Sequence, residues 1–348
     1  MRALVKTMKG KGFIELRDVP APSIGDAEVL IDVKACGICG TDLHIYNDEF
    51  PYYPPVILGH EFSGTIAAVG GNVKGWAVGD RVVGEPHTMA CGICALCRTG
   101  NRQICPHKRS PGWGIDGAFA PLMRWPEPGL LHRIPESLGF PEAALAEPLA
   151  NVVTDVVLSR TVMAGDVVAV AGPGPIGIMA ALVAKHAGAS TVIIFGVNDD
   201  EETRLTLCRS LPAIDYVVNV QKEDLAKLVQ DITSGRGVDL FIEASGARAA
   251  MQTGALIIRK LGTVTAIGLT GKPSIEFPYD TFMMKSVRYQ FNVSTKFESW
   301  DRAIRILDAG LIPHDRLLSH MGSIDQWQEF FDALLSRRAL KGMFLFNL

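Results

Sequence analysis

Val167-Val168-Ala169-Val170-Ala171-Gly172-Pro173-Gly174-Pro175-Ile176-Gly177 is the stretch that decides how this chain folds. Its first five residues are apolar and mostly β-branched, the composition of a strand buried on both faces. Gly172-Pro173-Gly174-Pro175 cannot continue a helix, and Ile178–Ala187 then reads as one. The apolar run from Val167 to Ala184 is 18 residues long, near the length of a membrane span. The Gly-Pro interruption makes it a strand, a turn and a helix instead, and no membrane partner is expected. In that context G-x-G-x-x-G has a mechanism. Gly172 makes the tight turn, Gly174 lets the backbone approach a pyrophosphate, and Gly177 lets helix and strand pack closely. Pro175 and Ile176 lie at the helix start, where free N–H groups and a partial positive charge favour an anion. A ligand-free glycine turn and a methyl-donor-binding sheet are the competing readings.

Working outward, strands alternate with helical stretches from Asp166 to about Asn292. The strands are Val167–Ala171, Thr191–Phe195, Tyr216–Asn219, Val238–Glu243 and Gly262–Gly268, an alternation that predicts a doubly wound parallel α/β sheet. The first 150 residues differ. Met1–Lys6, Phe13–Asp18, Glu28–Cys36, Phe62–Val69 and Arg81–Glu85 are β-rich and separated by Gly, Pro and Asp turns. After Asn292 the reading is two amphipathic helices, Ser299–Ala309 and Ile324–Leu335, and a last strand, Gly342–Asn347. That tail is too short for a domain and is expected to pack back on the first 150 residues. The expected organisation is therefore 1–150, a dinucleotide-binding domain over 151–292, and a return segment over 293–348.

The second strand of the sheet bears on the cofactor. NAD-binding sheets usually end it in Asp or Glu, which accepts hydrogen bonds from the ribose 2′-hydroxyl. Here Ile193-Ile194-Phe195 is followed by Gly196, with Asp199 and Asp200 a few residues late and Arg204 beyond them. Arg204 could pair with a 2′-phosphate, so NAD and NADP both stay open.

Four of the seven cysteines, Cys91, Cys94, Cys97 and Cys105, fall in one 15-residue stretch with spacing C-x2-C-x2-C-x7-C. Four thiolates so spaced can wrap one tetrahedral zinc, a closed site that braces a loop and leaves no position for a substrate. Disulfides are the other reading, and nothing else in the chain looks secreted. Met1–Lys6 lacks the apolar core of a secretory leader, so a cytoplasmic location is expected. The 348 residues are 48% hydrophobic, enough for two cores. The net charge of −3 gives no electrostatic case for a nucleic-acid partner.

A second metal candidate combines Cys39, His60, Glu61 and Glu147. A catalytic zinc takes about three protein ligands and keeps one exchangeable position. Each residue alone has an ordinary reading, a buried small thiol or a surface His-Glu pair, and spacing by itself leaves the site open.

Taken in order, Cys39-Gly40-Thr41-Asp42-Leu43-His44, Gly59-His60-Glu61-Phe62-Ser63-Gly64, Val78-Gly79-Asp80-Arg81-Val82, the four cysteines, Glu147-Pro148-Leu149 and Gly172 to Gly177 carry a resemblance. The chain resembles the zinc-dependent medium-chain alcohol dehydrogenases, nearest their sorbitol (polyol) and threonine dehydrogenase branch. The resemblance covers nearly the whole length. It implies a partly open, GroES-like β-barrel catalytic domain with a zinc lobe over 85–110, plus a Rossmann domain. It further implies Cys39, His60 and Glu61 as ligands of a catalytic zinc. Glu147 would approach that metal directly or through water, and Asp42 would orient His60. Ethanol-type relatives carry Cys at the Glu147 position. Thr41 and His44 fall at the family's proton relay. Ser245, Ile267 and Gly268, at the ends of the fourth and fifth strands, would contact adenine or nicotinamide.

The implied reaction is reversible hydride transfer from a secondary alcohol to NAD or NADP. It needs two zinc ions per chain and runs in a homodimer or homotetramer. A polyol or polyol phosphate is the first expectation for the substrate. A hydroxy-amino acid such as threonine is the alternative, because threonine dehydrogenases also carry a histidine where this chain has His87. Glu85 and His87 are candidate substrate residues, against the reading of His87 as an exposed loop side chain. Trp113, Asp116, Phe119, Tyr46, Phe50, Tyr52 and Tyr53 could wall a pocket or simply pack, and Lys296 could reach a phosphate. Two readings of another class are a non-catalytic dinucleotide-sensing relative and a zinc-finger-like interaction module. The open ligand set argues against the first and the negative charge against the second.

Overall fold

The computed structural model describes residues 1–159 and 161–346. Their contacts divide the chain into one unit of Met1–Ala150 with Val293–Leu348 and a second of Asn151–Asn292.

The first unit begins with β1 (Arg2–Lys6), β2 (Ile14–Asp18), β3 (Val29–Gly37), β4 (Val56–Ile57), β5 (Glu61–Val69), β6 (Arg81–Gly84), β7 (Leu122–Trp125) and β8 (Leu131–Arg133). Along β3, buried and half-buried residues alternate, so one face enters the core and the other is only partly covered. Ile31, Phe62, Trp125, Phe119 and Phe344 belong to that core, and the Phe62 and Trp125 rings lie 5.2 Å apart. The β3–β5 register matters most for function. The strands run antiparallel from Val29 opposite Val69 to Gly37 opposite Glu61. The residues just after β3 therefore lie beside those just before β5, which brings Cys39 to His60. The short strands β4, β7 and β8 escape a reading of pattern, because two to four residues are too few to show a period.

The second unit holds β9 (Val167–Ala171), β10 (Thr191–Gly196), β11 (Tyr216–Asn219), β12 (Val238–Glu243), β13 (Ile258–Ala266) and β14 (Arg288–Phe291). All are parallel, in the order β11-β10-β9-β12-β13-β14. β9 and β12 are buried throughout, as central strands covered on both faces must be. The helix after β9 runs Pro175–His186 and so starts inside the glycine run, earlier than Ile178. Proline suits a first helical position, where its missing N–H would have had no partner. β13 starts at Ile258 rather than Gly262, and β14 is an edge strand whose mixed pattern the sequence does not announce.

Returning to the first unit, the chain forms helices Phe297–Asp308 and Trp327–Leu335, then β15 (Leu318–Gly322, between them) and β16 (Lys341–Leu345). A 3-10 turn over Ile324–Gln326 takes the place of the first turn of the expected second helix. β16 pairs antiparallel with β3, Met343 opposite Gly37, and so adds its strand to the sheet of the first 150 residues. The expected last strand reached Asn347, which lies outside the described residues. No helix among the described residues is long and apolar enough to cross a membrane.

Candidate active site and metal centres

In the cysteine lobe, a short helix (Ala95–Arg98) and a 3-10 turn (Arg102–Ile104) turn four sulfurs inward. The Sγ atoms lie 4.0 Å apart for Cys91 and Cys97, 3.9 Å for Cys94 and Cys105, and 3.7 Å for Cys105 and Cys91. A tetrahedron with Zn–S near 2.3 Å has edges of about 3.8 Å, so the donor set fits that ion. None of the cysteines is in a disulfide. The Cys91 N–H donates to Cys105 Sγ at 3.5 Å. With other backbone donors it lowers the Cys105 thiol to about 6, which favours the thiolate a metal needs.

The second centre is built around the β3–β5 register. Cys39 precedes the helix Gly40–Tyr46, and its N–H donates to Asp42 Oδ2 at 2.8 Å, fixing that turn. Gly59, with φ +91°, precedes His60, and a Cβ on it would meet Phe119 at 2.4 Å, so only glycine fits. A sulfur of Cys39, a ring nitrogen of His60 and a carboxylate oxygen of Glu61 lie within 4.8 Å of one another. His60 Nδ1 faces Asp42 Oδ1 at 3.9 Å, and both atoms are buried without a hydrogen bond. Asp42 thus sits behind the ring, though not at bonding distance. The Trp113 ring packs edge-on against His60 at 4.9 Å. Burial opposes charge on His60, yet Cys39, Asp42 and Glu147 outweigh it and push the imidazole up to about 10. The pocket is therefore one that attracts a cation. A sulfur, an imidazole and a carboxylate suit zinc and leave a fourth position open.

Lys341 is the residue of this centre that a sequence reading misses. It starts β16, is 4% exposed, and its ammonium pairs with Glu61 Oε2 while donating to Ile38 O at 3.0 Å. Burial works against its charge, and Glu61, Cys39 and Glu147 overcome this, holding it above the usual lysine range. Glu61 consequently has two claimants, Lys341 and any metal beside Cys39 and His60. Glu147, in the first turn of the helix Ala146–Val153, is 8% exposed. It acts electrostatically on His60 and Lys341 but lies outside the three-residue group.

Thr41 and His44 share a face of Gly40–Tyr46 at i and i+3. His44 Nδ1 lies 2.9 Å from Glu49 Oε2. With a carboxylate as partner Nδ1 is the donor, which leaves Nε2 to accept a proton.

Glu85 and His87 are packed inside the fold, each 2% exposed. Glu85 bridges two imidazoles, His132 Nε2 at 2.9 Å and His87 Nε2 at 3.2 Å. Burial, with Lys108, Arg102 and His132 nearby, lowers His87 to about 3, so it is neutral in use. The reading of His87 as an exposed loop side chain is corrected. Asp116 Oδ1 accepts from the Ile57 N–H at 2.9 Å, and Phe119 is fully buried, so both serve packing. Tyr52 binds Asp48 at 2.5 Å, while Tyr53 is exposed under Arg109.

At the glycine turn, Gly172 takes φ +94°, and a Cβ on Gly177 would stand 1.9 Å from Gly172 O. Nothing lies within 4 Å of a Cβ on Gly174, so its side of the turn is open to a ligand. The dinucleotide role read for this motif therefore fits. Ser245 and Gly246 donate their N–H groups to the Glu243 carboxylate at 2.9 and 3.0 Å. Ile267 and Gly268 donate theirs to Glu243 O at 2.8 and 3.0 Å. One buried glutamate thereby holds the two loop ends expected to touch the cofactor. Arg204 is ion-paired with Asp200 at 3.3 Å.

A parallel sheet with a dinucleotide-type glycine turn and two thiolate-containing donor groups that could hold metal ions define a class, the zinc-binding dehydrogenases. The model of the alcohol dehydrogenase GroES-like domain matches residues 25–136, and that of the zinc-binding dehydrogenase matches 175–309. Sorbitol dehydrogenase of Halalkalibacterium halodurans is 37% identical, over 98% of each chain. D-arabitol-phosphate dehydrogenase of Enterococcus avium is 35% identical over 97% of each. L-threonine 3-dehydrogenase of Pyrococcus horikoshii is 36% identical over 99% of this chain and 98% of its own. Among solved structures, an alcohol dehydrogenase from Thermus sp. ATN1 superposes with a TM-score of 0.88 at 30% identity, covering 99% of both chains. A Sinorhizobium meliloti protein described as a zinc-binding dehydrogenase, solved with NADP, gives 0.88 at 30% identity, covering 99% and 98%. The chain belongs to the zinc-type medium-chain alcohol dehydrogenases. It is an NAD(P)-linked enzyme acting on an alcohol.

Proposed function

We propose that this enzyme oxidises a secondary hydroxyl of a polyol or polyol phosphate to the ketone, reversibly, in the cytoplasm. The observation that carries the proposal is the grouping of Cys39, His60 and Glu61, on whose imidazole the charge of a glutamate, Glu147, acts, where ethanol-type relatives would offer a cysteine. The curated sorbitol and arabitol-phosphate relatives support the same substrate class. When bound, zinc supplies Lewis acidity that lowers the pKa of a hydroxyl, and the nicotinamide takes up hydride. Cys39, His60 and Glu61 would hold the metal, with Glu147 close enough to act on His60 through its charge. Lys341 holds the Glu61 carboxylate in place through a buried ion pair. Thr41 and His44 carry the proton outward, His44 Nε2 accepting it while Glu49 fixes the ring. Cys91, Cys94, Cys97 and Cys105 hold the second, structural zinc.

A threonine-like substrate is the second reading, supported by the 36% identical threonine dehydrogenase. The test is a panel of polyols, their phosphates and L-threonine, with NAD and with NADP, on zinc-loaded protein. Reduction of cofactor by a polyol or its phosphate is expected. Turnover of threonine alone would select the second reading, and no turnover of any secondary alcohol would refute both. Folded Cys39→Ser protein should hold one zinc per chain instead of two and lose activity; full activity with two zincs would refute the ligand assignment.

The enzyme is also proposed to be a homodimer or homotetramer. Support comes from β14, which pairs on one side only as the edge of the six-stranded sheet, with Phe291 exposed on it. Tyr279, Met283 and Met284, in the helix preceding β14, add further exposed apolar surface.

A further inference from the structure

His44 and Glu49 are joined by the way their helix ends. The helix Gly40–Tyr46 stops at Asn47, and Asp48 after it takes φ +65°. The Asp48 N–H donates to Ile45 O at 3.2 Å and the Glu49 N–H to His44 O at 2.8 Å. These two bonds are those of a Schellman ending, in which the second residue past the cap lies over the third-last helical residue. Its left-handed position favours glycine or a short polar side chain, and aspartate serves here. Apolar side chains often meet across such an ending. In this chain an imidazole and a carboxylate meet instead, His44 Nδ1 and Glu49 Oε2 at 2.9 Å.

The turn is also held from outside the helix. Asp48 Oδ1 accepts from the Tyr52 hydroxyl at 2.5 Å, which engages the neighbouring carboxylate elsewhere, and the Gly12 N–H donates to Tyr46 O at 2.7 Å. Exposure rises outward along the pair, from 29% for the His44 side chain to 45% for that of Glu49. Among the described residues, His44 is the one ionic partner of Glu49. The carboxylate is therefore fixed at hydrogen-bond distance from one ring nitrogen and is open to water.

We infer that Glu49 is the outlet of the proton relay and takes on the proton that His44 receives, beyond holding the ring. The inference rests on the reading in which Thr41 and His44 carry the alcohol's proton outward. When His44 Nε2 accepts that proton, the ring becomes an imidazolium. Its Nδ1–H bond then breaks, an O–H bond forms at Glu49 Oε2, and Glu49 passes the proton to water. The neutral imidazole, left with its hydrogen on Nε2, returns to its first tautomer by exchange with water.

The test is a single turnover of zinc-loaded enzyme at low buffer, with the alcohol of the panel that turns over fastest. Absorbance follows cofactor reduction, and a pH indicator follows proton release. Glu49→Gln still accepts the Nδ1 hydrogen bond through its amide oxygen but cannot take a proton, and at so exposed a position it should fold. Proton release should slow by about tenfold, water still reaching the imidazole, and added imidazole buffer should restore it. His44→Gln should slow release at least as much. Unchanged release in Glu49→Gln, or a slowing that buffer does not restore, would overturn the inference; if His44→Gln is slow, the relay itself stands. Unchanged release in His44→Gln would overturn the relay and the inference with it. No cofactor reduction by any alcohol of the panel would overturn the reading beneath both.

Discussion

Glu61 is the residue on which the chemistry of this site turns, because two cationic partners compete for one buried carboxylate. Among the described residues, Lys341 is the counter-charge bonded to it, and the pair is almost fully buried. Removing one member of such a pair leaves the other charge uncompensated, at a cost of about 3–5 kcal/mol. Lys341→Met should therefore lower the thermal midpoint of chelator-treated enzyme markedly. Added zinc should restore much of the loss, because the metal replaces the ammonium beside Glu61. Calorimetry with and without zinc checks this; an equal loss in both forms would show that Lys341 serves only packing.

Two elements carry predictions of their own. The cysteine lobe has no helix longer than four residues and little buried apolar surface, so a metal held by its four cysteines would supply much of its order. Cys97→Ser should remove one zinc per chain and lower the midpoint while the folded fraction keeps its kcat/KM. Each 1 kcal/mol lost corresponds to roughly 2–4 °C in a unit of this size. The π-helical turn Thr154–Leu158 holds Asp155, 4% exposed, with Asn292 donating to it at 2.5 Å. Burial pushes the Asp155 carboxyl up to about 7, with the Asn292 hydrogen bond pulling the other way, against 3.8 when unfolded. Between those values the folded chain keeps a proton that the unfolded chain releases. The Asp155 contribution to stability is therefore whole below about pH 4 and is lost as pH rises to 7. Asp155→Asn should leave the midpoint unchanged at pH 4 and raise it at pH 8.

At the scale of the molecule, the exposed edge of the parallel sheet points to self-association. Phe291 on β14 is 71% exposed, and Met284 in the preceding helix is 73% exposed. Light scattering should find a dimer or tetramer, and Phe291→Lys should shift it towards smaller species. A wild-type monomer at micromolar concentration would refute the assembly.

The sequence by itself determined the fold class. Its long buried strands, its strand-turn-helix around Gly172–Gly177 and its clustered cysteines are local patterns, each set by residues within a turn or two of one another. Donors close in sequence are legible for the same reason, as with Cys91, Cys94, Cys97 and Cys105, whose sulfurs lie at tetrahedral spacing. What only the tertiary structure decided are the partners that come from afar. Lys341 reaches Glu61 across 280 positions because β16 docks on β3. His132 reaches Glu85 across 47 because β8 pairs with β6, turning an expected loop histidine into part of a buried cluster. Strand pairing places such side chains next to one another, and pairing is a long-range choice made by the whole core, so no local stretch of residues records it.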